Sequence, residues 1–299
     1  MRVAVIGGSG FIGSFLIRKL VEEGYDTINI DIRRGSPDVE FYLADIRILD
    51  QVISALEEVD LVFHLAGTVF SVARRNPYLS GQLDIYGTLN VLEACLRSGV
   101  DKLIYASSFY VYDGLPKDMV VDESHRSDIF KAEMFGVAKL VGERLVLEYH
   151  NKYGLNYVIL RFGPVYGPHE RCSCVVYEFI KEGLAGRPIV VWGKGQRKNQ
   201  YTYVEDIANG AVKAMKHENE IFNLICPEYR SISEIAELLR SKYGFEVVYD
   251  LSKREGPSMP YISAEKAMKV LGWKPIGLEE GIEKTIKALE EGPKGSQGP

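Results

Sequence analysis

Three glycines near the start of the chain have a spacing that could hold a phosphate group. The segment VIGGSGFIG (residues 5–13) places Gly7, Gly10 and Gly13 directly after a short apolar run and before an amphipathic helical pattern. Glycines there permit a tight turn, close approach of the backbone to a pyrophosphate and close packing of helix on strand. The N-terminus of the helix then faces the phosphates. The segment therefore predicts a dinucleotide-binding loop.

An acidic residue at the end of the next apolar run indicates which dinucleotide is bound. Asp31 lies eighteen residues after Gly13, where a carboxylate can accept hydrogen bonds from ribose hydroxyls. Because a 2′-phosphate would be repelled there, Asp31 favours NAD over NADP. Arg33 and Arg34 lie close by and weaken that preference.

A second candidate group is a lysine that follows an aromatic ring. In the segment MFGVAKLVGERLV (residues 134–146), which has a helical pattern, Phe135 and Lys139 are four residues apart and share one helix face. They should project toward the same neighbour, either a core or a cofactor. The Phe135 ring has no hydroxyl, so it cannot itself transfer a proton.

The order of apolar runs predicts the fold that positions these groups. Over residues 1 to about 165, short runs rich in β-branched residues alternate with longer helical patterns, as in βαβ units with a parallel sheet covered on both sides. After residue 165 the patterns are mostly helical. We predict an α/β fold with a Rossmann-type doubly wound parallel sheet and a smaller, mostly helical C-terminal substrate lobe.

The domain boundaries follow from the same change of pattern. Residues 1–165 form the predicted NAD-binding Rossmann domain, to which a segment at about 189–216 returns. Residues 166–188 and 217–290 form the predicted substrate-binding lobe. Residues 291–299 are rich in Gly, Pro and Ser, and a disordered tail is predicted there.

Composition argues against several classes of protein. The 299 residues include 36 Lys and Arg against 41 Asp and Glu, a net charge of −5, so no global basic field would hold nucleic acid or an anionic membrane. The first apolar run is too short for a signal peptide and no run approaches a membrane span, which predicts a cytoplasmic protein. The four cysteines lack metal-site spacing, so no metal is expected.

Further short motifs follow the glycine loop along residues 1 to about 290. They are ADIR (44–47), HLAG (64–67), GTLNVLEA (87–94), YASSFYVYD (105–113), FGVAK (135–139), RFGPVYGP (161–168), YTYVEDIA (201–208) and LGWKP (271–275). Together they resemble the extended short-chain dehydrogenase/reductase family, and among its members the nucleotide-sugar epimerases of the UDP-galactose 4-epimerase type. Chance rarely produces such an ordered set.

The resemblance implies a catalytic set. In that family a Tyr-x-x-x-Lys helix motif is preceded by a serine on a strand: the tyrosinate takes a proton from a substrate hydroxyl, NAD takes the hydride, and the lysine binds the nicotinamide ribose. Matching the motifs assigns the serine to Ser108, the lysine to Lys139 and the tyrosine position to Phe135. The site is recognisable, but its proton-transfer group is absent.

The resemblance also implies which residues contact the ligands. The predicted NAD-binding residues are Gly7, Gly10, Phe11, Ile12, Gly13, Asp31, Ile32, Arg33, Asp45, Ile46, Leu65, Ala66, Gly67, Ser107, Lys139 and Phe162. The predicted contacts to the substrate, an NDP-sugar with a UDP-sugar favoured, are Ser108, Tyr110, Arg197 and Arg254. Tyr110 is expected on the same strand as Ser108, two residues further on, so that the two side chains face the same side of the sheet. The chain departs from the family at Asp84 and Pro164, where asparagine is common, and at Asn199, near a usual arginine.

The residues after Ser108 restrict the reaction. Sugar dehydratases of the family carry an Asp-Glu pair there and decarboxylases a glutamate, whereas this chain has Phe109 and Tyr110. Elimination is therefore disfavoured, which leaves 4-epimerisation or the redox chemistry of a sugar ketoreductase. Because the tyrosine is missing, the alternatives are an inactive or trapped epimerase variant and a noncatalytic or redox-sensing NAD-binding protein of the same fold.

The family resemblance further implies a homodimer. The helices that begin near Gln82 and Phe135 would pack against their symmetry mates as a four-helix bundle. Both segments carry apolar residues on more than one face, as a helix buried on two sides requires.

Overall fold

The computed structural model describes residues 1–35 and 39–292. Its strands are β1 (Arg2–Ile6), β2 (Asp26–Asp31), β3 (Glu40–Leu43), β4 (Leu61–His64), β5 (Lys102–Ser108), β6 (Val120–Val121), β7 (Asn156–Phe162), β8 (Val165–Tyr166), β9 (Ile189–Trp192), β10 (Lys198–Gln200), β11 (Thr202–Tyr203), β12 (Glu220–Leu224), β13 (Tyr229–Ser231), β14 (Val247–Asp250) and β15 (Tyr261–Ile262). Its α-helices are α1 (Phe11–Glu22), α2 (Leu49–Ala55), α3 (Phe70–Arg75), α4 (Pro77–Ser80), α5 (Thr88–Arg97), α6 (Met134–Tyr153), α7 (Val175–Leu184), α8 (Val204–Ala214), α9 (Ile232–Tyr243), α10 (Glu265–Val270) and α11 (Leu278–Glu290). A π-helical segment (Gly81–Gly87) precedes α5, and a 3-10 helix (Phe109–Tyr112) follows β5.

Seven strands form one parallel sheet in the order β12-β7-β5-β4-β1-β2-β3. The chain order reverses at β1, because β2 and β3 lie on one side of it and the later strands lie on the other. Ligands of open parallel sheets bind at the carboxyl ends of the strands at such a reversal. The glycine loop follows β1 and therefore lies at this point. The predicted Rossmann-type doubly wound sheet is confirmed.

Alternate residues of the central strands supply two hydrophobic cores, one on each face of the sheet. In β1, Val3 and Val5 belong to the core that also contains residues of α1 and α8. Ala4 and Ile6 belong to the core that contains residues of α2, α5 and α6. All four side chains are buried, as expected for a parallel strand covered on both faces.

The C-terminal part contains the smaller lobe, with its own core built from α7, α9, α11 and β9. Two details differ from the sequence expectation. Strand β12 (Glu220–Leu224) lies in the central sheet, although the range 217–290 was assigned to the lobe; the run EIFNL is short and contains a polar Asn223, so its pattern is weak. In the returning segment 189–216, β9 pairs with β14 outside the sheet, and only α8 packs on the sheet face.

The remaining differences lie between predicted elements. Strand β3 and helices α3 and α4 occupy stretches without a predicted element, because each is at most six residues long. The helix predicted to begin near Gln82 starts as the π-helical segment, which turns the side chain of Asp84 inward to full burial. Such π turns are frequent at functional sites. Of the predicted tail, residues 293–299 lie outside the described residues.

Candidate active site

The glycine loop has the shape of a cradle for a pyrophosphate. Gly7 adopts a positive φ of 88°, and a Cβ there would lie 2.7 Å from the backbone nitrogen of Ala66. A Cβ on Gly13 would overlap the carbonyl oxygen of Gly7. Gly10 caps α1 without a side-chain hydrogen bond, so the first N–H groups of the helix, at Phe11 and Ile12, stay available to an anion. The loop therefore fits the phosphates of a dinucleotide.

Asp31 lies beside this loop at the end of β2. Its Oδ2 accepts a hydrogen bond from the backbone N–H of Ser9 at 3.1 Å, and in the described residues Oδ1 has no protein donor. The Ser9 hydroxyl donates to the carbonyl of Arg33 at 2.8 Å, which ties the loop to the segment after β2. Ile32 and Arg33 are exposed. One carboxylate oxygen of Asp31 thus remains free for a ribose.

The segments after β3 and β4 complete this end of the sheet. The N–H groups of Leu65 and Ala66 both donate to the carbonyl of Ile6, at 2.9 and 3.0 Å, which folds the β4 loop over the end of β1. The Asp45 carboxylate binds Arg47, whose charge and hydrogen bonds lower the pKa of Asp45. Ile46 is buried, and its carbonyl accepts a hydrogen bond from Asn90 at 2.8 Å.

The predicted helix places Lys139 and Phe135 on one face, as expected. The Lys139 Nζ donates to the carbonyl of Ala106 at 3.1 Å and lies 5.8 Å from the centroid of the Phe135 ring. The lysine is 7% exposed, and burial lowers its pKa, against which the charges of Asp84 and Glu143 act. Lys139 therefore reaches the strand that carries the predicted serine, two residues before Ser108.

Ser108 ends β5 and is almost fully buried. Its Oγ accepts a hydrogen bond from the backbone N–H of Tyr110 at 3.3 Å, so the hydroxyl proton is free for another acceptor. Tyr110 was expected on the strand, with its side chain on the same face as Ser108. That expectation is wrong, because β5 ends at Ser108 and the chain turns into the 3-10 helix.

Tyr110 and Phe135 belong to a small aromatic cluster. The rings of Phe70 and Tyr110 stack with centroids 4.4 Å apart, and the Phe135 ring meets Tyr110 edge-on at 5.5 Å. Burial raises the pKa of Tyr110 to about 12, despite the positive charges of Arg197 and Arg74. The Tyr110 phenol is thus protonated at neutral pH and does not replace a tyrosinate.

The two predicted substrate arginines differ in setting. The backbone N–H of Arg197 donates to the Glu255 carboxylate at 2.8 Å, while its guanidinium Nε is buried and, in the described part of the chain, has no protein acceptor. Arg254 is exposed next to Glu255. Asn199 is buried and accepts a hydrogen bond from the N–H of Gln200, so it takes no arginine-like role.

A buried polar network under the site was missed in the sequence. The Nε and Nη2 groups of Arg161 each donate to the Glu143 carboxylate at 2.8 Å, and Glu143 also accepts a hydrogen bond from the hydroxyl of Ser107 at 2.6 Å. The predicted NAD contact Ser107 therefore directs its side chain into this network. Arg161 also donates to the phenol oxygen of Tyr112 at 2.7 Å. Two features of the sequence could have indicated this network: the arginine inside the apolar run NYVILRFG, and the glutamate four residues after Lys139.

Three further features were not expected. Arg171, in the loop before α7, donates from Nη1 to the carbonyl of Ser9, so the smaller lobe touches the glycine loop. Phe162 ends β7 and packs in the core shared with α1 and α8. Gly67 lies against the buried carboxylate of Asp84, which a Cβ there would overlap.

The family model described as "NAD dependent epimerase/dehydratase family" matches residues 3–224. The chain belongs to this family of NAD-dependent enzymes. NAD is its cofactor, and the cradle described above fits it.

Several relatives match over nearly their whole length. A Methanocaldococcus jannaschii protein, provisionally named a UDP-glucose 4-epimerase, is 33% identical over 96% of this chain and 98% of its own. The crystal structure of Thermotoga maritima UDP-glucose 4-epimerase with UDP-glucose is 29% identical, with a TM-score of 0.90, over 97% of this chain and 99% of that one. A third match is the crystal structure of a tyrosine-to-phenylalanine mutant of Bacillus cereus UDP-glucuronic acid 4-epimerase, in complex with UDP-4-deoxy-4-fluoro-glucuronic acid and NAD. It is 28% identical, with a TM-score of 0.85, and the match covers 97% of this chain and 99% of that one.

The described residues contain neither a membrane-spanning helix nor a cluster of metal ligands. Residues 1–35 and 39–292 contain no helix whose length and apolar character would let it cross a bilayer. Within the same ranges, no group of three or more His, Cys, Asp or Glu side chains is placed to hold a metal ion.

Proposed function

We propose that this chain is a nucleotide-sugar epimerase of the 4-epimerase type, which binds NAD and a UDP-sugar and whose turnover is held low because position 135 has no hydroxyl. The observation that supports this most strongly is the buried ammonium of Lys139, bonded to Ala106 at the carboxyl end of the sheet, with the Phe135 ring 5.8 Å away. Restoring a tyrosine at position 135 tests the proposal.

Each residue has a separate task in this proposal. NAD, when bound, supplies a reversible hydride acceptor. The first N–H groups of α1 and the free Oδ1 of Asp31 hold the pyrophosphate and a ribose, and Lys139 donates to the nicotinamide ribose. Ser108 holds the reacting sugar oxygen with its free hydroxyl proton. Phe135 supplies no group that can accept the proton of the sugar hydroxyl.

Arg197 is the residue we assign to the substrate diphosphate. Its Nε is buried without a protein acceptor among the described residues, and its charge acts on Tyr110 in the aromatic cluster. A buried guanidinium donor is costly unless an anion satisfies it. Arg254 follows β14 and is next to Glu255, which accepts a hydrogen bond from the backbone N–H of Arg197, so Arg254 is the second proposed contact. The segments 166–188 and 217–290, without β12, make up the proposed substrate lobe.

Epimerisation is favoured over elimination by the residues at positions 109 and 110. Phe109 is buried in the hydrophobic core, and Tyr110 holds its proton at neutral pH. Neither offers a carboxylate to move a proton at a neighbouring carbon of the sugar. A transient hydride transfer followed by its return requires no such group.

A noncatalytic NAD-binding protein is the second candidate function, and one observation favours it. Phe135 is packed edge-on against Tyr110 and Phe70, so its ring is part of a formed cluster. A chain selected only for NAD binding would tolerate such packing. The two candidates differ in their response to a tyrosine at position 135.

Asp31 should set the preference for NAD over NADP. Asp31→Ala should weaken NAD binding by about 1–3 kcal/mol, roughly five- to 150-fold, because the ribose loses a charged acceptor. The measurement is a fluorescence titration of each variant with both dinucleotides. Asp26→Ala, at the exposed start of the same strand, is the control and should bind NAD as the parent does. Equal affinities of the parent for NAD and NADP would refute the assignment.

We further propose a cytoplasmic homodimer built on the π-helical segment, α5 and α6. Leu83, Leu89 and Leu145 pack against the core and stay partly exposed, and Tyr86 is 54% exposed on the same surface. A twofold interface is the commonest assembly of soluble proteins.

Light scattering at micromolar concentration should give twice the chain mass, and Tyr86→Glu should shift the measured mass toward that of the monomer. Trp192→Glu, which changes the exposed last residue of β9, should leave the mass unchanged. A monomeric parent would rule the dimer out.

A further inference from the structure

A carboxylate is buried next to the lysine of the site. Asp84, in the π-helical segment, is 1% exposed. Its Oδ1 accepts a hydrogen bond from the backbone N–H of Thr68 at 2.9 Å, and its Oδ2 accepts bonds from the Thr68 hydroxyl and, at 2.7 Å, from the Ser80 hydroxyl. Three donors on two oxygens are the surroundings of an ionised carboxylate. Asp84 Oδ1 lies 4.0 Å from the Nζ of Lys139.

None of the other titratable groups described around Lys139 supplies it with an unpaired negative charge. On β4, burial and the charge of Lys139 lower the pKa of His64 to about 3, so this imidazole is neutral. On β5, burial raises the pKa of Tyr105 far enough to keep its phenol protonated. On α6, Glu143 already accepts hydrogen bonds from Nε and Nη2 of Arg161. The four buried charges, two positive and two negative, sum to zero.

We propose that Asp84 is the counter-charge of Lys139, in place of the phenolate that position 135 lacks, and that it keeps the lysine an ammonium able to hold the nicotinamide ribose. Asp84 is therefore a positioning residue that acts through Lys139. The inference deepens the proposed function, because it rests on the role given there to Lys139. An isolated ammonium buried to this depth would lose its proton more easily.

The proposal has a consequence for any tyrosine placed at position 135. A phenolate there would be a third buried negative charge against two positive ones. Asp84 and the phenolate would compete for the same ammonium, so Asp84 should hold the new phenol in its protonated form. Removing the charge of Asp84 should release the phenol to ionise at lower pH.

Four proteins test this: the parent, Asp84→Asn, Phe135→Tyr and the double variant. The absorbance of tyrosinate near 295 nm is titrated with and without NAD, and each tyrosine variant is compared with its phenylalanine counterpart. The midpoint of the added phenol should lie about one to three pH units lower in the double variant than in Phe135→Tyr, the shift that a nearby charge produces. Ser80→Ala in the Phe135→Tyr background perturbs the same packing without removing the charge, and should leave the midpoint in place.

Each outcome separates the counter-charge from the proposed function. Equal midpoints in the two tyrosine variants would overturn the role of Asp84. A lowered midpoint without turnover of any sugar nucleotide would support Asp84 as counter-charge and overturn the epimerase proposal. Should Asp84→Asn fail to fold, Phe135→Tyr alone decides, since its phenol midpoint should stay at or above the ordinary value of about 10. A midpoint near 7 in that variant would contradict the proposal.

Discussion

The Phe135→Tyr variant should epimerise a UDP-sugar at least about a hundredfold faster than the parent chain. A positioned general base contributes about 10²–10⁴ in rate, or roughly 3–5 kcal/mol of barrier. The tyrosine would occupy the ring position 5.8 Å from the Lys139 ammonium, above a strand that ends in Ser108. At neutral pH the gain should fall near the lower end of this range, and it should rise with pH toward the midpoint of the new phenol, because Asp84 keeps most of that phenol protonated. Fold and NAD affinity should be retained, since the change adds one oxygen atom.

The assay follows product sugar, or NADH absorbance, over a panel of UDP-, GDP- and dTDP-sugars. Phe70→Tyr is a matched control: it adds a phenol to the same aromatic cluster, but from α3 and not from α6, which carries Lys139. It should leave the rate at the parent level. If Phe135→Tyr is as inactive as the parent on the whole panel, the missing hydroxyl does not limit turnover, and the noncatalytic function becomes the better account.

Glu143→Gln should cost about 3–5 kcal/mol in the free energy of unfolding, the usual cost of removing one partner from a buried ion pair. Arg161 and Glu143 are 0% and 3% exposed and share two hydrogen bonds of 2.8 Å. Although burial acts against it, the carboxylate raises the pKa of Arg161, so the guanidinium would stay charged and lose its counter-ion. The same variant weakens the anchor of Ser107 beneath the site.

Denaturant unfolding of Glu143→Gln is best compared with that of Glu148→Gln. Glu148 lies on the same helix and bonds Arg144 at the surface, where an exposed i, i+4 pair contributes at most about 0.5 kcal/mol. The first variant should shift the unfolding midpoint clearly and the second should hardly shift it. Similar small effects for both variants would mean that water or a rearrangement compensates the charge of Arg161 when Glu143 is removed.

The sequence predicted the parts of the site that lie close together along the chain. Gly7, Gly10 and Gly13 fix the loop by local backbone geometry, and Phe135 and Lys139 share a face because of the helix repeat. Strand runs such as VAVI, which follows Arg2 in β1, are apolar throughout, so the parallel sheet could be recognised. These signals need no knowledge of distant contacts.

Contacts between distant segments could not be predicted in this way. Asp84 is buried because a π-helical segment turns it toward Thr68 and Lys139, which lie 16 residues before and 55 residues after it. Tyr110 was placed on a strand, since nothing in YASSFYVYD marks the end of β5 at Ser108. Strand β12 joins the sheet through β7, so its place depends on a partner more than fifty residues earlier.

The central claim is that this chain binds NAD and a sugar nucleotide but lacks the group that moves the proton. Its most direct test is native mass spectrometry of the parent protein mixed with NAD and UDP-glucose or another UDP-sugar. We expect a ternary complex whose recovered sugar nucleotide is unchanged. Absence of any dinucleotide or sugar-nucleotide adduct, or rapid conversion of the sugar by the parent chain, would contradict it.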